Sequence, residues 1–240
     1  MSLSNKRSLS SPVTKYYQWR GNEGTLSYYD KELRKNVPIA LPLNFVVLDQ
    51  LSMIKGFSDD YQGSFSSNEV RSVKDTLRVI CYGKNNKNET KTYNIAEGSY
   101  ETIKDQIKSL GARYTKSVYV VIIDDKNNLE LVNFQLMGSA LAPLFEARIN
   151  DDGHVIRLGV NPEQKVKGKS TYYEPTFTKL AAATDEVMKQ LVEMDEELQS
   201  YLKDYLTRNN EIKEIDDEPD LDSEDYRATM LLGSTFPSMD

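Results

Sequence analysis

Three residue types on which catalysis and extracellular stability commonly depend are nearly missing. The 240-residue chain has one cysteine, Cys81, one histidine, His154, and one tryptophan, Trp19. A single cysteine excludes an intramolecular disulfide, so a reducing, intracellular home is the default. One Cys and one His cannot build a Cys/His metal cluster. No Cys–His nucleophile pair or Ser–His–Asp triad is signalled. Neither a Gly-x-x-x-x-Gly-Lys-Ser/Thr loop nor a Gly-x-Gly-x-x-Gly turn occurs. The Asp59-Asp60 pair lacks the spacing of a twelve-residue calcium loop. No run approaches the roughly 18 apolar residues that a membrane span requires. The expectation is a non-enzymatic protein with no catalytic set, no cofactor, no metal and no membrane association.

What is present is an uneven charge. The net charge is −7. Residues 211–240 hold ten carboxylates against two bases, a net −8, so the preceding 210 residues carry +1. A near-neutral body with an acidic tail is the useful description. Hydrophobic residues make up 39% of the chain, enough for a core without disulfides.

The central stretch, Lys91 to Gly138, reads strand, helix, strand, strand. Ser99 is placed to cap a helix in which Tyr100, Ile103, Ile107 and Leu110 recur at helical spacing, and Gly111 sits where a C-terminal glycine belongs. The run Val118, Val120, Val121, Ile122, Ile123 is dense in β-branched residues. A helix between the third and fourth strands of a small β unit points to a five-stranded Greek-key barrel of the oligonucleotide/oligosaccharide-binding kind. The expected fold is mainly β (α+β): an OB-fold-like barrel with added hairpins and a long C-terminal helix.

Around that stretch, residues 1–14 read as a disordered leader and 15–180 as the barrel domain. Lys15–Asp30 reads as an aromatic hairpin, either a stacking surface flanked by bases or an ordinary half-buried hairpin. Val37–Lys55 reads as a long, bent first strand and Gly56–Arg71 as a long loop. Ser139–Arg148 reads as a short helix. His154–Phe177 reads as a hairpin with a basic tip containing Lys165, Lys167 and Lys169, either simply solvated or touching nucleic acid. Residues 181–210 hold a helix over Thr184–Asn209, with Val187, Leu191, Met194, Leu198, Tyr201 or Leu202, and Tyr205 on one face. That face packs either on its own body or on a second subunit, which would make a homo-oligomer. Residues 211–240 should be disordered.

The order Trp19-Arg20-Gly21, Tyr28-Tyr29-Asp30-Lys31, Leu41-Pro42-Leu43, Phe45 to Asp49, Ser67 to Arg71, Gly111 to Tyr119, Leu131 to Gln135 and Tyr173 to Phe177 resembles single-stranded DNA-binding proteins of tailed bacteriophages, of the crAss-like group in particular. The resemblance implies an oligonucleotide-binding fold, a role in DNA replication or recombination, and residence in the cytoplasm of the infected bacterial host. It also implies an acidic tail that recruits replication proteins, here Asp216, Asp217, Glu218, Asp220, Asp222 and Phe236. In that family type the aromatic is terminal, whereas Phe236 is followed by four more residues. A tail without any partner, serving solubility, is the plain alternative.

The expected function is sequence-tolerant binding of single-stranded DNA. Stacking is expected from Tyr16, Trp19, Tyr28, Tyr61, Tyr114 and Tyr172. Phosphate contacts are expected from Arg20, Arg71, Arg78, Arg113, Lys116, Lys165 and Lys167. The competing expectation is a phage structural or assembly protein with a β-rich body and an oligomerising helix.

Overall fold

The computed structural model describes residues 10–85 and 89–211. The leader up to residue 9, the connection 86–88 and the acidic tail, with Asp216, Asp217, Glu218, Asp220, Asp222 and Phe236, lie outside the described residues. In chain order the strands begin with β1 (Tyr16–Arg20), β2 (Thr25–Asp30), β3 (Lys35–Pro38), β4 (Leu43–Ser58), β5 (Gly63–Ser67), β6 (Leu77–Lys84) and β7 (Thr90–Gly98). Helix α1 (Tyr100–Ser109) leads into β8 (Ala112–Ile123) and β9 (Leu129–Met137). A 3-10 turn and α2 (Leu141–Glu146) precede β10 (His154–Val160), β11 (Lys165–Lys167), β12 (Ser170–Tyr172) and β13 (Pro175–Ala182), and α3 (Asp185–Glu211) follows.

Among the described residues, eleven strands join one mixed sheet: nine run in the order β3-β2-β1-β9-β8-β4-β5-β6-β7, and β10 and β13 branch from β4. β4 organises it. One edge pairs with β8 along twelve register positions; the other edge is shared by β10 at Leu43–Phe45 and β5 at Lys55–Ser58. The strand–helix–strand–strand run is present as β7-α1-β8-β9. The edge of β9 away from β8 takes β1 in parallel, Tyr16 to Gln18 against Asn133 to Gln135. A β7–β9 ladder, which would close a five-stranded barrel, is not among the pairings of the described residues.

Residues that face each other across antiparallel strands point to the same side, so the register sorts side chains between two faces. The inner face holds two apolar clusters. Tyr17, Trp19, Phe45, Val47, Val118, Val120 and Phe134 form the first, closed by Leu144 of α2 and by Ile156 and Leu158 of β10. Ile54, Phe65, Val79 and Cys81 form the second, beneath Ile103 and Ile107 of α1. On the outer face Val46, Leu51, Val121 and Leu131 lie under Val187, Leu191, Leu198 and Leu202 of α3.

α1 stops as the sequence requires. Gly111 has φ +89, and a Cβ there would stand 2.5 Å from the Phe57 carbonyl oxygen. Only glycine fits both demands. Two expectations are corrected. The Gly56–Arg71 loop is a β4–β5 hairpin with a tight turn at Asp59–Gln62, because β4 finds partners through Ser58 and so continues past Lys55. The apolar face of α3 is used on the chain's own sheet, so the second-subunit reading of this helix loses its surface.

Candidate nucleic-acid interface

The outer face changes character beyond the apolar part of α3. Its next row is polar: Ser27, Gln18, Gln135 and Ser117 align across β2, β1, β9 and β8. Arg20 follows Gln18 two residues further along β1. Arg113 lies opposite Lys55, and Lys55 opposite Ser66. Phe57 and Tyr82 flank Ser64 in the adjoining row, both half-buried. Hydrogen bonds tie the strip together. The Lys55 Nζ donates to Gln135 Oε1 at 2.8 Å, and Gln18 Nε2 donates to the same oxygen at 3.4 Å. Arg20 Nε donates to Ser27 Oγ at 2.9 Å. Burial holds the Lys55 ammonium down to about 8, opposed by the Glu69 carboxylate.

A basic ribbon stands beside this strip. β11 and β12 form a separate two-stranded sheet at the tip of the β10–β13 hairpin, with Lys165 opposite Tyr172 and Lys167 opposite Ser170. Its base sits on the β1–β2 turn. The Tyr173 amide donates to the Gly21 carbonyl at 2.7 Å, and a Cβ on Gly21 would stand 3.5 Å from the Tyr172 Cβ and 2.7 Å from the Ser139 Oγ. The missing side chain at Gly21 therefore leaves room for the Ser139 hydroxyl, while the ribbon lies at ordinary contact distance beside Arg20. Lys165 pairs with Glu174 Oε2 at 2.6 Å, which raises its ammonium pKa, while Lys167 is exposed.

A buried polar knot lies between the strip and α3. Glu69 accepts from Ser117 Oγ and, at 2.6 Å, from Tyr119 Oη. Its amide donates to the Tyr205 phenol at 3.0 Å, fastening the end of α3. Burial pushes the Glu69 carboxyl up, and the two hydroxyl donors oppose that. Asn133 Nδ2 donates to Ser117 Oγ at 2.7 Å.

The structure therefore gathers Arg20, Arg113, Tyr172, Lys165 and Lys167 from the expected set. It disperses the others. Trp19 is a correction: it is 5% exposed in the core, and its Nε1 donates to the Tyr173 carbonyl at 3.1 Å, so its ring has no free face. Tyr28 leans edge-on against Tyr17 at 5.2 Å, with Lys15 over its ring. Tyr61 packs on Phe65 and Tyr93. Tyr114 shares a hydrogen bond with Ser52 at 2.8 Å and tilts against Tyr100 on the α1 side. Tyr16 is on the outer face, but burial pushes its phenol up to about 12 beside Ser11 and Tyr201. Arg71 grips Asp49 through both carboxylate oxygens, at 2.7 and 2.8 Å. Arg78 is held by Glu97 and by the Asn209 carbonyl. Lys116 is half-buried on the inner face between Ser52 and Leu136. Trp19, Tyr28, Tyr61, Tyr114, Arg71 and Arg78 are each engaged by other parts of the protein away from the strip.

Sequence reasoning missed Lys55, Gln18, Gln135, Phe57 and Tyr82. One signal was available. Lys55 is a cation inside the long apolar strand reading, and Gln18 and Gln135 are amides at every-other positions among buried rings.

Because Trp19 is the sole tryptophan, its position makes a direct test. Trp19→Phe should change single-strand affinity by less than about twofold while costing about 1–3 kcal/mol, since the Tyr173 carbonyl loses a buried donor. Acrylamide should quench the wild-type emission poorly. Efficient quenching, or a tenfold affinity loss in the variant, would restore Trp19 to the interface.

Among the described residues no group of His, Cys, Asp and Glu is placed to hold a metal ion, and no helix is long and apolar enough to cross a membrane. No family model, no curated protein and no solved structure matches the chain.

Proposed function

We propose that this protein binds single-stranded DNA with little regard to sequence, as a phage replication or recombination protein acting in the cytoplasm of an infected bacterium. The observation that carries the reading is the outer-face strip, where Arg20, Lys55 and Arg113 share one surface with Phe57 and Tyr82 beside the basic ribbon. Guanidinium and ammonium groups neutralise phosphates and release counterions. Flat rings beside them stack on bases irrespective of sequence, each worth about 1–3 kcal/mol. In its finer form the fold is an opened relative of the oligonucleotide-binding barrel, with β4, β8 and β9 as the platform and β1 standing where closure would fall.

The acidic segment 211–240 is read as a competitor for the strip and as a docking tail for replication proteins. Fluorescence titration of a labelled dT oligonucleotide at two salt concentrations tests both ideas. Binding should weaken steeply with salt, and deletion of residues 211–240 should tighten it by about tenfold at low salt. Micromolar protein that leaves the oligonucleotide free, with and without the tail, ends the proposal. Large oligomers indifferent to nucleic acid, seen by light scattering, would favour an assembly role instead.

A further inference from the structure

We propose, resting on the function above, that Lys55 is a phosphate-binding residue at the centre of the track and that it takes up a proton as the nucleic acid arrives. Lys55 lies on β4 between Arg113 of β8 and Ser66 of β5, all on the outer face. Its stem does not run out to water as lysines usually do. It crosses β8 to reach β9, where Nζ donates to Gln135 Oε1 at 2.8 Å, and Gln135 is only 4% exposed. An ammonium has three N–H donors, and this is the one with a partner among the described residues.

The partner is neutral. The carboxylate that acts on Lys55 is Glu69, whose oxygens are already taken by Ser117 and Tyr119. Other ionisable groups around this centre are Arg113 of β8, opposite Lys55, and, around Glu69, Asp49 of β4, Tyr16 of β1 and Tyr201 and Tyr205 of α3. A desolvated cation with two unspent donors, on a face it shares with two guanidinium groups, is built for an anion rich in acceptors. A backbone phosphate is such an anion.

Proton uptake follows from linkage. Burial lowers the Lys55 ammonium to about 8. A phosphate drawn against it favours the charged form. Above that pH a neutral Lys55 amine therefore gains a proton from solvent on binding, and the phosphate charge balances it.

The test is calorimetric titration of the full chain with a dT oligonucleotide at about pH 8.5, in two buffers of different ionisation enthalpy at one ionic strength. Wild type should take up about half a proton or more per site. Lys55→Met should abolish the uptake, and Lys167→Met should keep it. The variant should fold, because it removes a buried charge. As a measurement that needs no variant, wild-type affinity should fall about three- to tenfold between pH 7 and pH 9.5. Binding at both pH values with no uptake and a flat profile overturns the role of Lys55 alone, as does uptake that persists in Lys55→Met. Absence of binding at pH 7, where Lys55 is charged, overturns the function and this assignment together.

Discussion

Replacing Arg20 and Arg113 together by glutamate should weaken binding to a dT oligonucleotide by about 100-fold or more at low salt, the largest functional effect expected from two substitutions. Both sit on the outer-face strip, Arg20 next to the ribbon base and Arg113 opposite Lys55. On the proposed function each substitution removes a phosphate contact and adds a repelling charge. The slope of log affinity against log salt should flatten by about 0.7 for each phosphate lost. Arg71→Ala is the contrasting variant. Its guanidinium is bound to Asp49, so it should lose stability yet bind the oligonucleotide normally. If Arg71→Ala and the double variant lose equal affinity while melting like wild type, the strip is not the interface.

Leu198→Ala should lower stability by about 2–5 kcal/mol, the largest structural effect expected from a single substitution on α3. Leu198 is 0% exposed, inside the apolar cluster that joins the helix to the sheet. A loss below 1 kcal/mol in chemical denaturation would mean that the helix is not seated there. The same contact surface carries two carboxylates with opposite pH signatures. Asp49 is held below the usual carboxylate range; burial raises it, but hydrogen bonds from Arg71, Gln199 and the Gln50 amide outweigh that. Its contribution is present above the unfolded value near 4 and is lost as pH falls through the folded one. Glu69 is pushed up, so it stabilises most when protonated and its contribution fades as pH rises through its folded value. Asp49→Asn should therefore flatten the acid side of the melting-temperature profile without touching the alkaline side.

Local readings held where one segment contains all the relevant physics. The Ile103/Ile107 spacing, the glycine at 111 and the apolar stripe from Val187 to Leu202 each specify their element from neighbouring residues. The basic tip was legible as a lysine-rich loop, but its two short strands, Lys165–Lys167 and Ser170–Tyr172, were not. Cation and ring assignments fared worse. An arginine in a sequence looks the same whether it faces solvent or a carboxylate 22 residues away, as Arg71 does with Asp49. Trp19 and Arg20 are adjacent, and the pleat alone sends one to the core and the other to the strip.

Composition and periodicity by themselves determined a β-rich body and its helices, and the single cysteine leaves no intramolecular disulfide to form. Tertiary structure alone decided which side of each strand is covered and which cations remain near one another. The reason is that a two-residue repeat defines two faces without saying which is buried. That choice waits for partners such as β1 and β9, more than a hundred residues apart, and a single bulge between Val47 and Asp49 is enough to exchange the faces of everything beyond it.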